Sequence, residues 1–197
     1  MKRSVSISIK TAILAFAVFT PTLAFAHSGG DHVHGFLSGL EHPLVGLDHL
    51  LAMVAVGIIA ARTAGRGGVV VPLSFVSAMV AGAILGMVGI GLPYLETGIA
   101  LSLVAFGAMV GLAKSLPLAA ATALATLFGL FHGSAHGFEI PESASGIAYA
   151  AGFVISTSTL HAVGALSALK LARWPGTIRA AGIATSLIGM TLATQMI

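Results

Sequence analysis

The stretch HPLVGLDHLLAMVAVGIIAAR, residues 42–62, decides the fold. Its second half is a run of small and branched apolar residues that ends at one arginine. Its first half carries two histidines and an aspartate. On a helix at 100° per residue, His42, Gly46, His49 and Met53 lie within about 60° of one another, with Asp48 one step around. A run of this length approaches the ~20 residues needed to cross hydrocarbon. Pro43 suits a first helical turn, where its missing N–H costs nothing. The stretch therefore predicts a membrane-crossing helix with a polar mouth. A carboxylate inside a span costs about 2.5–3.5 kcal/mol on insertion scales. Asp48 accordingly needs a partner, a water-filled cavity or a cation; pairing with a neighbouring histidine for structure alone is the plainer alternative.

Five further apolar stretches follow the first, giving spans at 40–61, 69–91, 94–113, 116–136, 145–170 and 177–196. Short connections punctuated by Gly, Pro and charge imply antiparallel neighbours. No stretch alternates with period two, which argues against a barrel. Only 8% of the 197 residues are charged and 57% are hydrophobic, and mean hydropathy is +1.03. Soluble domains carry about 25% charge, so this chain is expected to be an all-α, polytopic helical bundle with the lipid bilayer as its solvent. The absence of cysteine removes disulfides, thiolate zinc sites and iron–sulfur clusters.

The N-terminus reads as a secretory signal peptide: Lys2, Arg3 and Lys10, then an apolar run from Thr11 to Thr20, Pro21, and Ala24-Phe25-Ala26 at an A-x-A-like cleavage site. The expected organisation is a signal peptide at 1–26, a His-rich segment at 27–39 and a six-helix transport domain at 40–197. Cleavage removes three of the nine basic residues, leaving six against six carboxylates. The net charge of +3 then falls to zero, and no basic patch remains for nucleic acid. A cleaved signal puts the mature N-terminus on the periplasmic side of a cell (inner) membrane. Arg62, Arg66, Lys114, Lys170, Arg173 and Arg179 then all face the cytoplasm, as the positive-inside rule requires.

Histidines sort the opposite way. His27, His32, His34, His42, His49, His132 and His136 fall at or near the outer face, together with all six carboxylates. The fourth span ends FHGSAHGFEIP, residues 131–141. His132 and His136 at i and i+4 share a helical face, and Glu139 continues it. Two imidazoles and a carboxylate form a divalent-metal half-site. Glu96 opens the third span and either completes the vestibule or is an ordinary interfacial carboxylate. His161, flanked by Ser156, Thr157, Ser158 and Thr159, is either an inner relay or a packed, hydrogen-bonded histidine. The stretch HSGGDHVHG, residues 27–35, is either a metal-collecting tail or a solvated linker. Gly82 and Gly86, Gly107 and Gly111, and Gly129, Gly133 and Gly137 have the spacing of close helix packing, within the bundle or in a homo-oligomer. Gly133 and Gly137 are expected to admit the first or fifth span.

These residues resemble the HupE/UreJ family of nickel/cobalt permeases. The resemblance rests on the signal peptide with its His-rich start, HPLVGLDH in the first span and FHGSAHGFE at the end of the fourth, and it covers essentially the whole chain. No departure occurs at His42, Asp48, His49, His132, His136 or Glu139. It implies import of Ni2+, or Co2+, for nickel enzymes such as hydrogenase or urease, with those six residues handling the ion and no prosthetic group. Ligand chemistry alone also admits zinc and copper(II). Neutral imidazole is the competent ligand, so uptake is expected to fall as pH drops through about 6.5.

Three rivals stay open at this point. A partner-dependent metal sensor or subunit would not transport alone. An intramembrane hydrolase would use Ser134 with a flanking histidine, although GxSxG and HExxH are both absent. A haem-binding electron carrier would need two axial histidines in an apolar pocket, against which the clustered carboxylates argue.

Overall fold

The computed structural model describes residues 35–112, 116–138 and 144–195. Within them the chain forms seven helices: α1 (Gly35–Val45), α2 (Leu47–Arg62), α3 (Gly67–Met87), α4 (Leu95–Leu112), α5 (Leu118–Gly137), α6 (Ala144–Lys170) and α7 (Pro175–Thr194). No strand occurs among the described residues. Helices α3 to α7 are each long and apolar enough to cross a membrane, and α1 with α2 passes the same test as a pair bent by 81°. The architecture is an all-α, polytopic membrane bundle of five long spans, or six with the bent pair taken as one. The helix bounds fall within a few residues of the six expected stretches, except that the first helix starts earlier, at Gly35.

The first span departs from expectation because it is not one helix. Pro43 lies near the end of α1 rather than in a first turn, and it has no N–H to give the carbonyl one turn back. Gly46 is extended, with φ −74° and ψ 112°. Its N–H reaches the His42 carbonyl only at 3.4 Å, while its own carbonyl accepts from the Leu50 N–H at 2.9 Å. Gly46 thus ends one helix and starts the next. A Cβ there would come within 3.0 Å of Asp48 Oδ1 and 3.3 Å of His49 Nδ1, so glycine leaves room for the Asp48 side chain to fold against the break. Asp48 occupies the first turn of α2, where the helix dipole favours a negative charge.

Lipid supplies no hydrophobic drive between helices, so close backbone packing must hold them together. The glycine ladders do this inside the monomer. A Cβ at Gly133 would run into the Met79 carbonyl, and one at Gly82 into that of Leu130; Gly137 faces Ala83 and Gly86. Helix α3 therefore lies directly on α5. This corrects the expected partner of Gly133 and Gly137: the second span closes on them, not the first or fifth. Gly107 and Gly111 face Gly182, Ser186 and Ile183 of α7. Of the two uses that the glycine spacing allowed, these faces serve close packing within the chain.

Met53, Val56, Phe75, Leu103 and Phe106 fill the centre, while Leu73, Ile84, Leu101, Ile155 and Leu187 point outward, as lipid-facing positions should. At the basic end, Arg62 Nη1 donates to the Val110 carbonyl at 3.0 Å and Arg179 Nε to that of Gly111 at 3.3 Å. Two guanidiniums thus satisfy terminal carbonyls of α4, at the negative end of its dipole.

Candidate metal centre

At the end of the bundle opposite those arginines, three helices converge through their histidines. Helix α1 brings His42 in its last turn, the first turn of α2 brings Asp48 and His49, and the last two turns of α5 bring His132 and His136. The imidazoles form a continuous cluster. Ring centroids are 4.6 Å apart for His42 and His136, 4.5 Å for His136 and His49, and 4.7 Å for His49 and His132. His42 and His49 lie 6.2 Å apart across the helix break. His42 is half-buried; His49, His132 and His136 are buried. Of the six residues expected to handle an ion, five thus come together. Glu139 lies outside the described residues, as do His27, His32 and His34.

Hydrogen bonds fix much of the proton arrangement. Asp48 Oδ1 accepts the His49 backbone N–H at 2.8 Å and faces the ring Nδ1 at 2.9 Å. A carboxylate can only accept, so Nδ1 carries the hydrogen, and in the neutral ring Nε2 keeps its lone pair. That Nε2 lies 2.6 Å from His136 Nε2, which must therefore be the donor. On the other side, Ser102 Oγ donates to the Ile99 carbonyl at 2.6 Å and faces His132 Nε2 at 2.9 Å. A hydroxyl has one hydrogen. Because Ile99 takes it, Ser102 accepts from His132 Nε2–H, and His132 Nδ1 is left as a buried lone pair with no partner among the described residues.

This is a closed, hydrogen-bonded arrangement. Among the described residues no three of His, Asp or Glu are positioned to hold an ion as they stand. With metal–nitrogen bonds of about 2.0–2.1 Å, two imidazoles on one ion sit roughly 3 Å apart or more. The His49 and His136 nitrogens must therefore separate by some tenths of an ångström, and the His136 Nε2 hydrogen must leave or move to Nδ1, for the two to share one. The pair is also too close to place a macrocycle between the two rings, which removes the haem geometry for them.

Aromatic side chains wall the cluster. Phe153 of α6 lies 4.4 Å from His136 and 5.9 Å from His42, centroid to centroid, and Tyr149 lies 6.0 Å from His42. Phe75 of α3 contacts His132 at 5.6 Å. Phe75, Ser102, Tyr149 and Phe153 were not singled out from sequence, where a lone hydroxyl or aromatic ring in an apolar span carries no spacing signal. Glu96 is exposed in the first turn of α4, and no bond joins it to the imidazoles. Ser134 Oγ is buried without a partner among the described residues, and its backbone lies against Gly82 and Gly86 of α3. No Ser–His pair forms there. His161 is buried beyond Phe75, at 5.3 Å from that ring.

Residues 14–192 match the family described as "HupE / UreJ protein". The chain is similar to "Protein HupE" of Rhizobium leguminosarum bv. viciae, with 40% identity over 186 residues, spanning 93% of this chain and 96% of that one. No solved structure matches.

Proposed function

The chain belongs to the HupE/UreJ family of membrane permeases, and from that premise we propose that its cargo is a divalent transition metal, nickel first and cobalt second, imported for nickel enzymes such as hydrogenase or urease. The observation that carries the reading is the cluster of four imidazoles from three helices, with a carboxylate on His49, at one mouth of a membrane bundle. Imidazole suits nickel, cobalt, zinc and copper; nickel is preferred here on the family resemblance.

In this reading residues 1–26 are a cleaved signal, and the cluster opens to the periplasm. Arg62, Arg66, Lys170, Arg173 and Arg179 lie at the opposite ends of their helices, supporting that orientation through the positive-inside rule. His27, His32, His34 and Glu139 collect the hydrated ion at the mouth, with Glu96 at its rim. His42, half-buried, meets it first. His136 and His49 part, the His136 Nε2 proton is released or moves to Nδ1, and a nitrogen of each ring then replaces one of the ion's waters. Asp48 keeps the His49 lone pair turned toward the ion and raises its basicity. His132 receives the ion through Nδ1. Each step stays reversible because ligands are added and lost one or two at a time. An inside-negative potential favours a divalent cation by about 4.6 kcal/mol per 100 mV, twice the single-charge value, so no nucleotide is needed.

Uptake of radioactive nickel into proteoliposomes holding only this chain tests the proposal, alongside His132→Ala and Asp48→Ala. Saturable uptake that both changes abolish is the expected result. Folded, correctly oriented protein with uptake no faster than empty liposomes would refute a self-sufficient permease and favour a partner-dependent subunit or sensor.

A further inference from the structure

His161 is 3% exposed, and neither ring nitrogen has a hydrogen-bond partner among the described residues. A neutral imidazole always carries one N–H and one lone pair. Whichever tautomer forms, both a donor and an acceptor are therefore left without a protein partner in the buried interior, where unsatisfied groups are costly. Hydroxyls nearby do not relieve it. Ser158 and Thr159 spend theirs on their own helix carbonyls. Thr157, one turn before His161 on the same face of α6, turns its Oγ1 to Met79 Sδ at 3.9 Å. A histidine kept in such a place without a partner is poised for a guest.

Its neighbours indicate which guest. The α6 face bearing Thr157 and His161 meets the α3 face bearing Phe75 and Met79. Phe75 touches both His161 and His132, at 5.3 and 5.6 Å between ring centroids. His132 presents the second buried, unpartnered imidazole nitrogen, Nδ1. Gly57 of α2, eight residues past His49, packs on the His161 backbone, so that backbone lies about 12 Å further along α2 at 1.5 Å per residue. We propose that His161 forms an inner imidazole station, distinct from the outer cluster, that takes a largely dehydrated divalent transition-metal ion from His132 as it moves toward the basic end. The proposal rests on the reading of the chain as a divalent-metal permease and adds where the ion goes next.

The chemistry suits transit rather than storage. The groups around His161 are neutral nitrogen, hydroxyl and thioether donors, of the borderline-to-soft kind that first-row transition metals accept and magnesium or calcium do not. With no carboxylate beside His161 among the described residues to neutralise the ion, binding there is weak and release fast, as conduction requires.

The test uses the full chain in lipid nanodiscs and in proteoliposomes. Histidine labelled with 15N is titrated with Co2+, the His161 signal being assigned by its loss in His161→Gln or His161→Met. Nickel uptake is measured for both variants. Cobalt held at the outer histidines shifts His161 through space in step with them; the proposal expects a second, larger saturable shift at His161 at higher cobalt concentrations, from direct ligation. It also expects His161→Gln to keep the wild-type KM within about twofold while losing at least tenfold in maximal rate, with His161→Met, which retains a soft donor, recovering part of that rate. In a purely structural role His161 would shift only in step with the outer histidines, through space from cobalt held there, with no second phase and no selective rescue by methionine. If His161→Gln does not fold, His161→Met supplies the assignment, and absence of the second phase overturns the proposal. Normal uptake with no second phase at His161 sinks the inner station alone, whereas no uptake and no shift at any histidine sinks the permease reading with it.

Discussion

Asp48→Asn separates a structural from a functional role because the first predicts a lower melting point and the second a loss of metal affinity at nearly constant stability. The asparagine is nearly the same shape and its Oδ1 can still accept the His49 backbone and ring N–H bonds, now at 2.8 and 2.9 Å. Replacing a charge-assisted bond by a neutral one costs about 1 kcal/mol. Against this, removing a carboxylate from a span recovers part of the about 2.5–3.5 kcal/mol charged for it at mid-membrane, since Asp48 is itself partly exposed at 29%. Stability should therefore barely move, by less than about 1 kcal/mol either way. Metal affinity should fall, because a hydrogen-bonded partner that sets ring orientation and basicity is worth about 10–100-fold. At 1.4 kcal/mol per decade, that is about 1.4–2.8 kcal/mol. Nickel titration calorimetry and thermal melting of one nanodisc preparation measure both quantities. A variant that melts far below wild type and binds weakly only in proportion would refute the argument, as would unchanged affinity.

Two glycines should respond in opposite ways. Gly133→Leu must push α3 off α5 at the Met79 carbonyl and should cost about 3 kcal/mol or more, seen as loss of monodisperse protein. Gly68→Ala, with nothing within 4 Å of the added carbon, should melt up to about 1 kcal/mol higher. Ser134→Ala removes a buried hydroxyl that has no partner among the described residues, so uptake should be unchanged and stability equal or slightly greater; loss of uptake in folded protein would revive a role for the hydroxyl. Acidifying the medium should slow nickel uptake, because protons and metal compete for the same imidazole lone pairs. A rate that rises with acid across the same potential would instead indicate proton-driven coupling.

The helical class and the gathering of five of the six candidate residues were legible in the sequence, and the reasons are local. Apolar runs of about 20 residues admit little else than spans, and the histidines' confinement to one set of span ends is visible in one dimension. The break at Gly46 was not legible. A straight helix and a bent one both bring His42 near His49, one by shared face and the other by folding at the glycine, so the helical spacing could not distinguish them. Likewise, Gly133 and Gly137 announced close approach without saying to which helix. Ser102 and Phe75 act on His132 from α4 and α3, across contacts that only the tertiary packing creates.

X-ray absorption at the nickel edge, on the purified chain loaded with one equivalent of Ni2+, tests most directly whether this cluster handles the metal. The account predicts outer-shell scattering from at least two imidazoles, reduced in both His49→Ala and His136→Ala. A spectrum of water and carboxylate oxygen alone, unaltered by either change, would contradict it.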